Sequence, residues 1–410
     1  MKHKIFIYYW FFVVVTYAYD CTQNIKKENS SKVYFTINPI DRKIVLSMQF
    51  YDSLTADLAF DTGAHLGTLI VDSTFFANNP SVMSTLTFDT ETHGGSSWSN
   101  IGVPIKIYKT IPVVKIGGVD LVYDYMQIYN WKGYYNTSDS EGMFNIPQND
   151  TIHVWELNFE NSYLEIHSAV EFKLPEDCFV TSMERNRHYP FNVRLPLKVQ
   201  FPDGDTLALE HVYMIDTGMP WDIALMYRSE ELELLNQKKD AVWTEYGRSY
   251  HRYYTVEAKL FDGFVVDSLR IYTFDYPMSI SCNYLIGLNF LKRFNVFFDM
   301  KNRQIGFQPI VNFQRVVNPA LNRFHFSSYL NEEGKFIVNK VADNESNNFF
   351  KAGLQAKDEI IAVNGINLKK MTLETKEKIF QQDTLIFDVL RYNKPLKIVV
   401  LIDKNEVQGD

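Results

Sequence analysis

Two acidic residues sit in the same short setting at widely separated points of the chain. Ala59-Phe60-Asp61-Thr62-Gly63-Ala64 returns as Met214-Ile215-Asp216-Thr217-Gly218-Met219, an interval of 155 residues. A single Asp-Thr-Gly is as readily a β-turn as a site. Two copies, each preceded by two apolar residues, point to chemistry that needs a pair. An exposed carboxylate titrates near 4 and is a feeble base at neutral pH, but two carboxyl groups held about 3 Å apart cannot both ionise and must share one proton. One member then serves as acid and the other as base. The ionised member can take a proton from a water lodged between them while the protonated member donates to an amide carbonyl oxygen, with no need for a metal or a nucleophilic side chain. Gly lets the backbone turn tightly beside its partner, and the Thr hydroxyl can bond across to the facing loop. Asp61 and Asp216 are therefore the candidate catalytic pair, with Thr62, Gly63, Thr217 and Gly218 as its support.

The elements that must position the pair repeat as well. Apolar strand pairs precede each motif, Val33 to Ile37 with Lys43 to Phe50, and Phe179 to Met183 with Phe191 to Phe201. A polar stretch and further apolar strands follow each. Each copy then closes in a hairpin-like run, Leu157 to Leu164 and Phe298 to Ile305. Short alternating runs rich in Val, Ile, Tyr and Phe, broken by Gly, Asn and Asp, predict a mainly β protein. Helical periodicity is confined to Ser229–Asn236, Leu288–Arg293, Asn347–Ala352 and Leu373–Phe380.

Composition excludes other classes. The 410 residues are 46% hydrophobic and 22% charged, which rules out a disordered or fibrous chain. With 41 basic against 49 acidic residues the formal charge is −8, so no basic field is available for nucleic-acid phosphates. Three cysteines, Cys21, Cys178 and Cys282, make neither a disulfide framework nor a zinc-type pairing. Cys178 and Cys282 are read equally as a disulfide or as two separate thiols. The histidines stand near no Gly-x-Ser-x-Gly or similar nucleophile motif. No cofactor and no metal are expected.

The doubled motif resembles the pepsin and retropepsin type of aspartic protease, most closely exported bacterial retropepsin-like proteins with two Asp-Thr-Gly motifs in one chain. The resemblance implies a bilobal, double-lobe acid-protease fold, with an N-terminal lobe over 31–168 and a C-terminal lobe over 169–312. It implies an aspartic endopeptidase acting on polypeptide substrates, with Asp61 and Asp216 as the dyad and Thr62 and Thr217 bracing the loops. Because both aspartates lie in one chain, an active monomer is expected. The family's apolar-apolar-Gly element beneath each motif is matched by Leu285-Ile286-Gly287 in the second lobe, and in the first lobe the best candidate is Gly142, preceded by polar Ser140 and Glu141. A β-hairpin flap is expected over Thr92 to Asn100, with Trp98 near its tip. Ala64 and Met219 stand where pepsin-like enzymes usually carry Ser or Thr, so neither motif has the hydroxyl that favours an ionised carboxylate, and activity at mildly acidic to neutral pH is expected.

Beyond Phe307 the repeat ends. Residues 320–405, with Ala352-Gly353-Leu354, Asp358, the apolar Ile360 to Val363 and the turn Asn364-Gly365, resemble a PDZ domain, a small α+β unit that binds C-terminal peptides by strand addition. The loop for the terminal carboxylate is expected near Ser327 to Leu330. At the other end, Met1-Lys2-His3-Lys4 followed by apolar Ile5 to Tyr19 reads as a signal peptide over 1–18, so the protein is expected to be exported. Membrane attachment arises only if that segment is retained. The competing reading is a non-catalytic peptide-binding scaffold built on degenerate protease lobes.

Overall fold

The computed structural model describes residues 32–37, 43–51, 54–94, 103–109, 111–131, 140–184, 191–238, 242–246, 249–274, 282–311, 313, 326–330, 335–341, 348–368, 378–379 and 382–401. The protein is mainly β. Strand Ile44–Phe50 buries Ile44, Leu46, Met48 and Phe50 and pairs antiparallel with Leu54–Phe60, which buries Ala56, Leu58 and Phe60. Strand Asn192–Gln200 buries every second residue from Val193 to Val199 and pairs antiparallel with Thr206–Asp216. A period-two apolar pattern leaves no other way to keep one face in the core. Both aspartates sit at the C-terminal end of the second strand of such a pair.

The strand path is repeated in space. In the first copy, Leu54–Phe60 pairs parallel with Gly142–Phe144, which pairs antiparallel with Leu69–Asp72, which pairs parallel with Met126–Tyr129. In the second, Thr206–Asp216 pairs parallel with Tyr284–Gly287, that strand antiparallel with Ile223–Leu225, and the latter parallel with Phe264–Thr273. Each copy also carries a long hairpin, Thr87–Gly94 with Val103–Lys109 and Val242–Tyr246 with Ser249–Leu260.

The copies are tied together by their closing hairpins. Strand His153–Asn158 pairs antiparallel both with Tyr163–Ser168 and with Phe294–Asp299 of the other copy, bringing Trp155 opposite Phe298. Val33–Tyr34 and Phe179–Glu184 flank this shared layer. Aromatic rings fill the space between it and the two motifs. Phe60, beside Asp61, lies 5.2 Å from Phe144, stacks 6.1 Å from Trp155 and meets Phe298 edge-on at 6.4 Å, while Phe191 lies 5.0 Å from Phe298. One continuous apolar core thus runs through both copies.

Strands Phe326–Leu330, Phe336–Val341, Glu359–Val363, Ile366–Asn367, Thr384–Arg391 and Lys394–Leu401 form a third sheet with its own core of Val338, Phe349, Leu354, Phe387 and Ile398 among others. Arg391 holds buried Asp358 through two bonds of 2.8 Å and also donates to the Gly353 carbonyl oxygen. Asn364 and Gly365, both at positive φ, make the tight turn between strands Glu359–Val363 and Ile366–Asn367.

The helices are shorter than their sequence patterns: Leu232–Asn236, Leu288–Leu291 and Asn348–Lys351. Ser73–Asn78 and Pro80–Met83 have too few turns to leave a periodic signal. Their starts are set by Asp72, which accepts from the Thr74 N–H at 2.8 Å, and by Pro80 in the first turn. The segment 1–18, Trp98 with the tip of its hairpin, and most of Leu373–Phe380 lie outside the described residues. Among the described residues no helix is long and apolar enough to cross a membrane. Cys178 and Cys282 are free thiols.

In the shared layer, buried Glu156 accepts from Asn158 and Tyr163 on one oxygen and pairs with His167 at 2.7 Å on the other. Burial raises its pKa, but the hydrogen bonds from His167, Asn158 and Tyr163 outweigh it and hold the carboxyl below the usual 4.5. A depressed carboxyl pKa contributes stability that is present above the unfolded value and lost as pH falls through the folded one. Denaturant unfolding of wild type and Glu156→Gln from pH 7 to pH 3 is therefore expected to show a stability gap above about pH 4.5 that closes in more acid solution. A gap of constant size at every pH would contradict it.

Candidate active site

The two Asp-Thr-Gly turns meet and interlock. The Thr62 N–H donates to Thr217 Oγ1 and the Thr217 N–H donates to Thr62 Oγ1, both at 3.0 Å. Each hydroxyl then donates onward into the opposite copy, Thr62 Oγ1 to the Ile215 carbonyl at 3.0 Å and Thr217 Oγ1 to the Phe60 carbonyl at 2.8 Å. Both threonines are fully buried. A threonine hydroxyl can donate once and accept at the same time, and here each does both. Valine would match the shape and Ser the chemistry, but only a hydroxyl on a branched side chain supplies both.

The carboxyl groups are fixed by the same turns. The Gly63 N–H donates to Asp61 Oδ1 at 3.0 Å, and the Gly218 N–H to Asp216 Oδ1 at 2.9 Å. A Cβ built on Gly63 would overlap the Asp216 carboxyl group, and one on Gly218 would overlap that of Asp61. Each glycine therefore leaves the space that the other copy's carboxylate fills, which brings the two acids within hydrogen-bonding reach of each other. Asp216 is buried, and its pKa is driven well above the ordinary carboxylate range, first by desolvation and then by the charge of Asp61. The Gly218 N–H and the cation of Lys43 act in the opposite direction. Lys43 immediately precedes strand Ile44–Phe50, so the pairing register continues it to a place opposite Asp61, and its ammonium lies 5.2 Å from the Trp131 ring centre.

Gly287 ends strand Tyr284–Gly287 directly beside Asp216, and a Cβ there would overlap the Trp221 carbonyl oxygen. Gly142 does not take the matching place in the first copy. Met143 pairs with Ala59 and Phe144 with Phe60, so the residue that continues the register to Asp61 is Asn145, and Gly142 falls three positions earlier. Gly142 is instead required by the neighbouring strand, because a side chain there would run into the Ile70 carbonyl. The apolar-apolar-Gly pattern has Gly at its third position, and nothing in the sequence marks Asn145 as its substitute. Lys43 was equally invisible, since its position depends on strand register.

His93 is exposed, and His211 is taken up by Glu231, whose other oxygen accepts from Tyr284. Among the described residues one trio has metal-type ligands together, Glu156, Glu165 and His167. It lies on the shared hairpin layer, Glu156 is bonded to protein partners on both oxygens, and the Lys32 ammonium is 3.8 Å from Glu165. A pocket lined by Lys198, Thr206, Ala208 and Glu257 opens at the far end of the second copy. Ala208 and Asp216 are eight residues apart on one strand, or roughly 27 Å, so that pocket is no part of the dyad.

No family model matches this chain, and no curated protein matches its sequence.

The interlock predicts a specific stability pattern. Thr62→Val leaves the Thr217 N–H and the Ile215 carbonyl without partners, and chemical denaturation is expected to show a loss of about 2–4 kcal/mol. Thr62→Ser is expected to recover most of that loss. Thr62→Val with Thr217→Val is expected to cost less than the sum of the single changes, because the two side chains share bonds. Strict additivity would contradict the interlock.

Proposed function

We propose that this chain is an aspartic endopeptidase of the pepsin and retropepsin type, a double-lobe enzyme in which Asp61 and Asp216 hydrolyse a peptide bond from a single chain. The observation that carries the reading is the reciprocal fit of each motif's glycine against the other motif's carboxylate. It is supported by the raised pKa of Asp216, the condition for one member of the pair to hold a proton while the other is ionised.

In this mechanism Asp216 carries the shared proton and Asp61 is the base. Asp61 takes a proton from water as the water oxygen bonds to the substrate carbonyl carbon, and Asp216 gives its proton to the carbonyl oxygen. The resulting gem-diol collapses with cleavage of the C–N bond, and the departing nitrogen takes the proton held by Asp61. Asp216 recovers its own proton from the diol hydroxyl. The paired threonines keep both turns rigid while charge moves, so little reorganisation accompanies the reaction. The hairpin of Thr87–Gly94 with Val103–Lys109 is the element suited to cover substrate and exclude water.

In this reading the protein is exported through its N-terminal segment and works as a monomer on polypeptide substrates without a cofactor. The third sheet serves as a PDZ-like unit that recruits chain ends of substrates or partners. Buried Leu354, the Arg391-held Asp358 and the Asn364-Gly365 turn support that assignment.

Cleavage of casein or a peptide library tests the proposal. Wild type is expected to cut and to be blocked by a pepstatin-type inhibitor, with Asp61→Asn and Asp216→Asn each reduced roughly a thousandfold or more. An inert wild type would favour the scaffold reading. The pH–rate profile of kcat/KM is expected to hold through mildly acidic pH, with its falling limb above the ordinary carboxylate range. Because the Lys43 cation favours ionisation, Lys43→Met is expected to move that limb to higher pH. A profile peaking near pH 2, or a limb unmoved by Lys43→Met, would contradict the electrostatics.

A further inference from the structure

The two copies hold their aspartate turns by different means. In the second copy the main chain suffices: the Gly287 N–H donates to the Asp222 carbonyl at 2.8 Å, and the Leu288 N–H donates to the carbonyl of Met219, three residues past Asp216, at 2.7 Å. In the first copy the corresponding N–H of Asn145 donates to the Thr68 carbonyl at 2.9 Å. The next N–H, that of Ile146, does not reach the turn. It donates instead to Asn145 Oδ1 at 2.7 Å. The carbonyl of Ala64, three residues past Asp61, receives its bond from Asn145 Nδ2 at 2.7 Å.

The cause lies in the turn length. Thr68 lies seven positions after Asp61, whereas Asp222 lies six positions after Asp216. The extra residue opens a gap between the turn and the strand behind it, and a side chain must cross the gap to satisfy both the Ala64 carbonyl and the Ile146 N–H. A primary amide does this in one group, because its NH2 donates while its oxygen accepts. Asn145 is fully buried, and its main-chain carbonyl accepts from the Tyr123 hydroxyl at 2.8 Å, so the backbone that carries the amide is held as well. Leucine has the shape without the bonds. Aspartate has the acceptor but donates only when protonated.

We infer that Asn145 is a positioning residue for Asp61, its side-chain amide replacing the main-chain donor that fixes the turn of Asp216. The inference rests on the aspartic-peptidase reading for its consequences in catalysis, although the bonding pattern stands without it. An amide that sets where Asp61 points, without touching substrate, affects the chemical step and leaves binding alone.

The test compares Asn145→Gly and Asn145→Asp with wild type in the full chain. Asn145→Gly is expected to lower kcat about tenfold with KM within twofold of wild type. Asn145→Asp is expected to lose activity to a similar degree near neutral pH and to regain it as pH falls, because only the protonated acid can donate to the Ala64 carbonyl. Unchanged kcat in a folded Asn145→Gly, or a pH profile of Asn145→Asp parallel to that of wild type, would overturn the inference. Amide hydrogen exchange is read on the same proteins and needs no activity. The N–H groups of Ala64 and Gly67 are expected to exchange at least tenfold faster in Asn145→Gly, with Met219 as the unchanged control. If wild type cleaves nothing while this difference appears, the peptidase reading fails and the positioning role stands. Equal exchange in wild type and variant overturns the positioning role whatever the activity.

Discussion

Everything at the centre of this molecule depends on four hydrogen bonds made by two threonine side chains. Carboxyl groups repel when both are charged, and burial raises the cost of either charge. A fold that brings Asp61 and Asp216 together must therefore supply rigid attraction elsewhere. Thr62 and Thr217 do this by accepting from each other's main chain and donating across the boundary between the copies. Because the bonds are reciprocal and buried, the two turns are locked as a unit. The acids are left facing each other, and burial together with the charge of Asp61 drives Asp216 toward its protonated form.

The surroundings serve that lock. Phe60 and Ile215 supply the carbonyls that receive the threonine hydroxyls, and both residues are anchored in the continuous core. The stack of Phe60 on Trp155, with Phe298 against its edge, ties the first motif to the hairpin layer that joins the copies. Movement of one copy relative to the other would have to break the antiparallel pairing of His153–Asn158 with Phe294–Asp299 as well as the threonine bonds. The two copies are nonetheless unequal at the next level. Asp216 is backed by main chain and Asp61 by the amide of Asn145, and Lys43 adds a cation from the first copy. Electrostatically, Asp216 is set by its burial and by the charge of Asp61, and the Lys43 cation acts against both.

How much could be read beforehand follows from which interactions are local. The Asp-Thr-Gly motif was legible because each of its residues meets a requirement that few residue types satisfy, and because the requirement occurs twice. The mainly β character and the closing hairpins were legible from alternation, as in Asn192–Gln200, where buried Val193, Leu195, Leu197 and Val199 alternate with exposed positions. Asn145 was not legible. The second copy taught a Gly at the third position, and the one-residue difference in turn length that makes a side chain necessary shows only once strand register is known. Lys43 and the His211 to Glu231 pair were hidden for the same reason, since pairing across strands and between a strand and a distant turn leaves no mark on sequence spacing. The short helix Ser73–Asn78 was missed because a capping Asp and a single turn carry too little periodicity.

Asp61 and Asp216 are expected to behave as one titrating unit in the folded chain. Carboxyl-carbon NMR of the full-length protein, with aspartates labelled and the pair assigned through Asp61→Asn and Asp216→Asn, measures this directly. Two coupled ionisations are expected, with one carboxyl still protonated well above pH 4 and that high step lowered when the partner aspartate is replaced by asparagine. Two independent titrations near pH 4, each indifferent to replacement of the other residue, would contradict it.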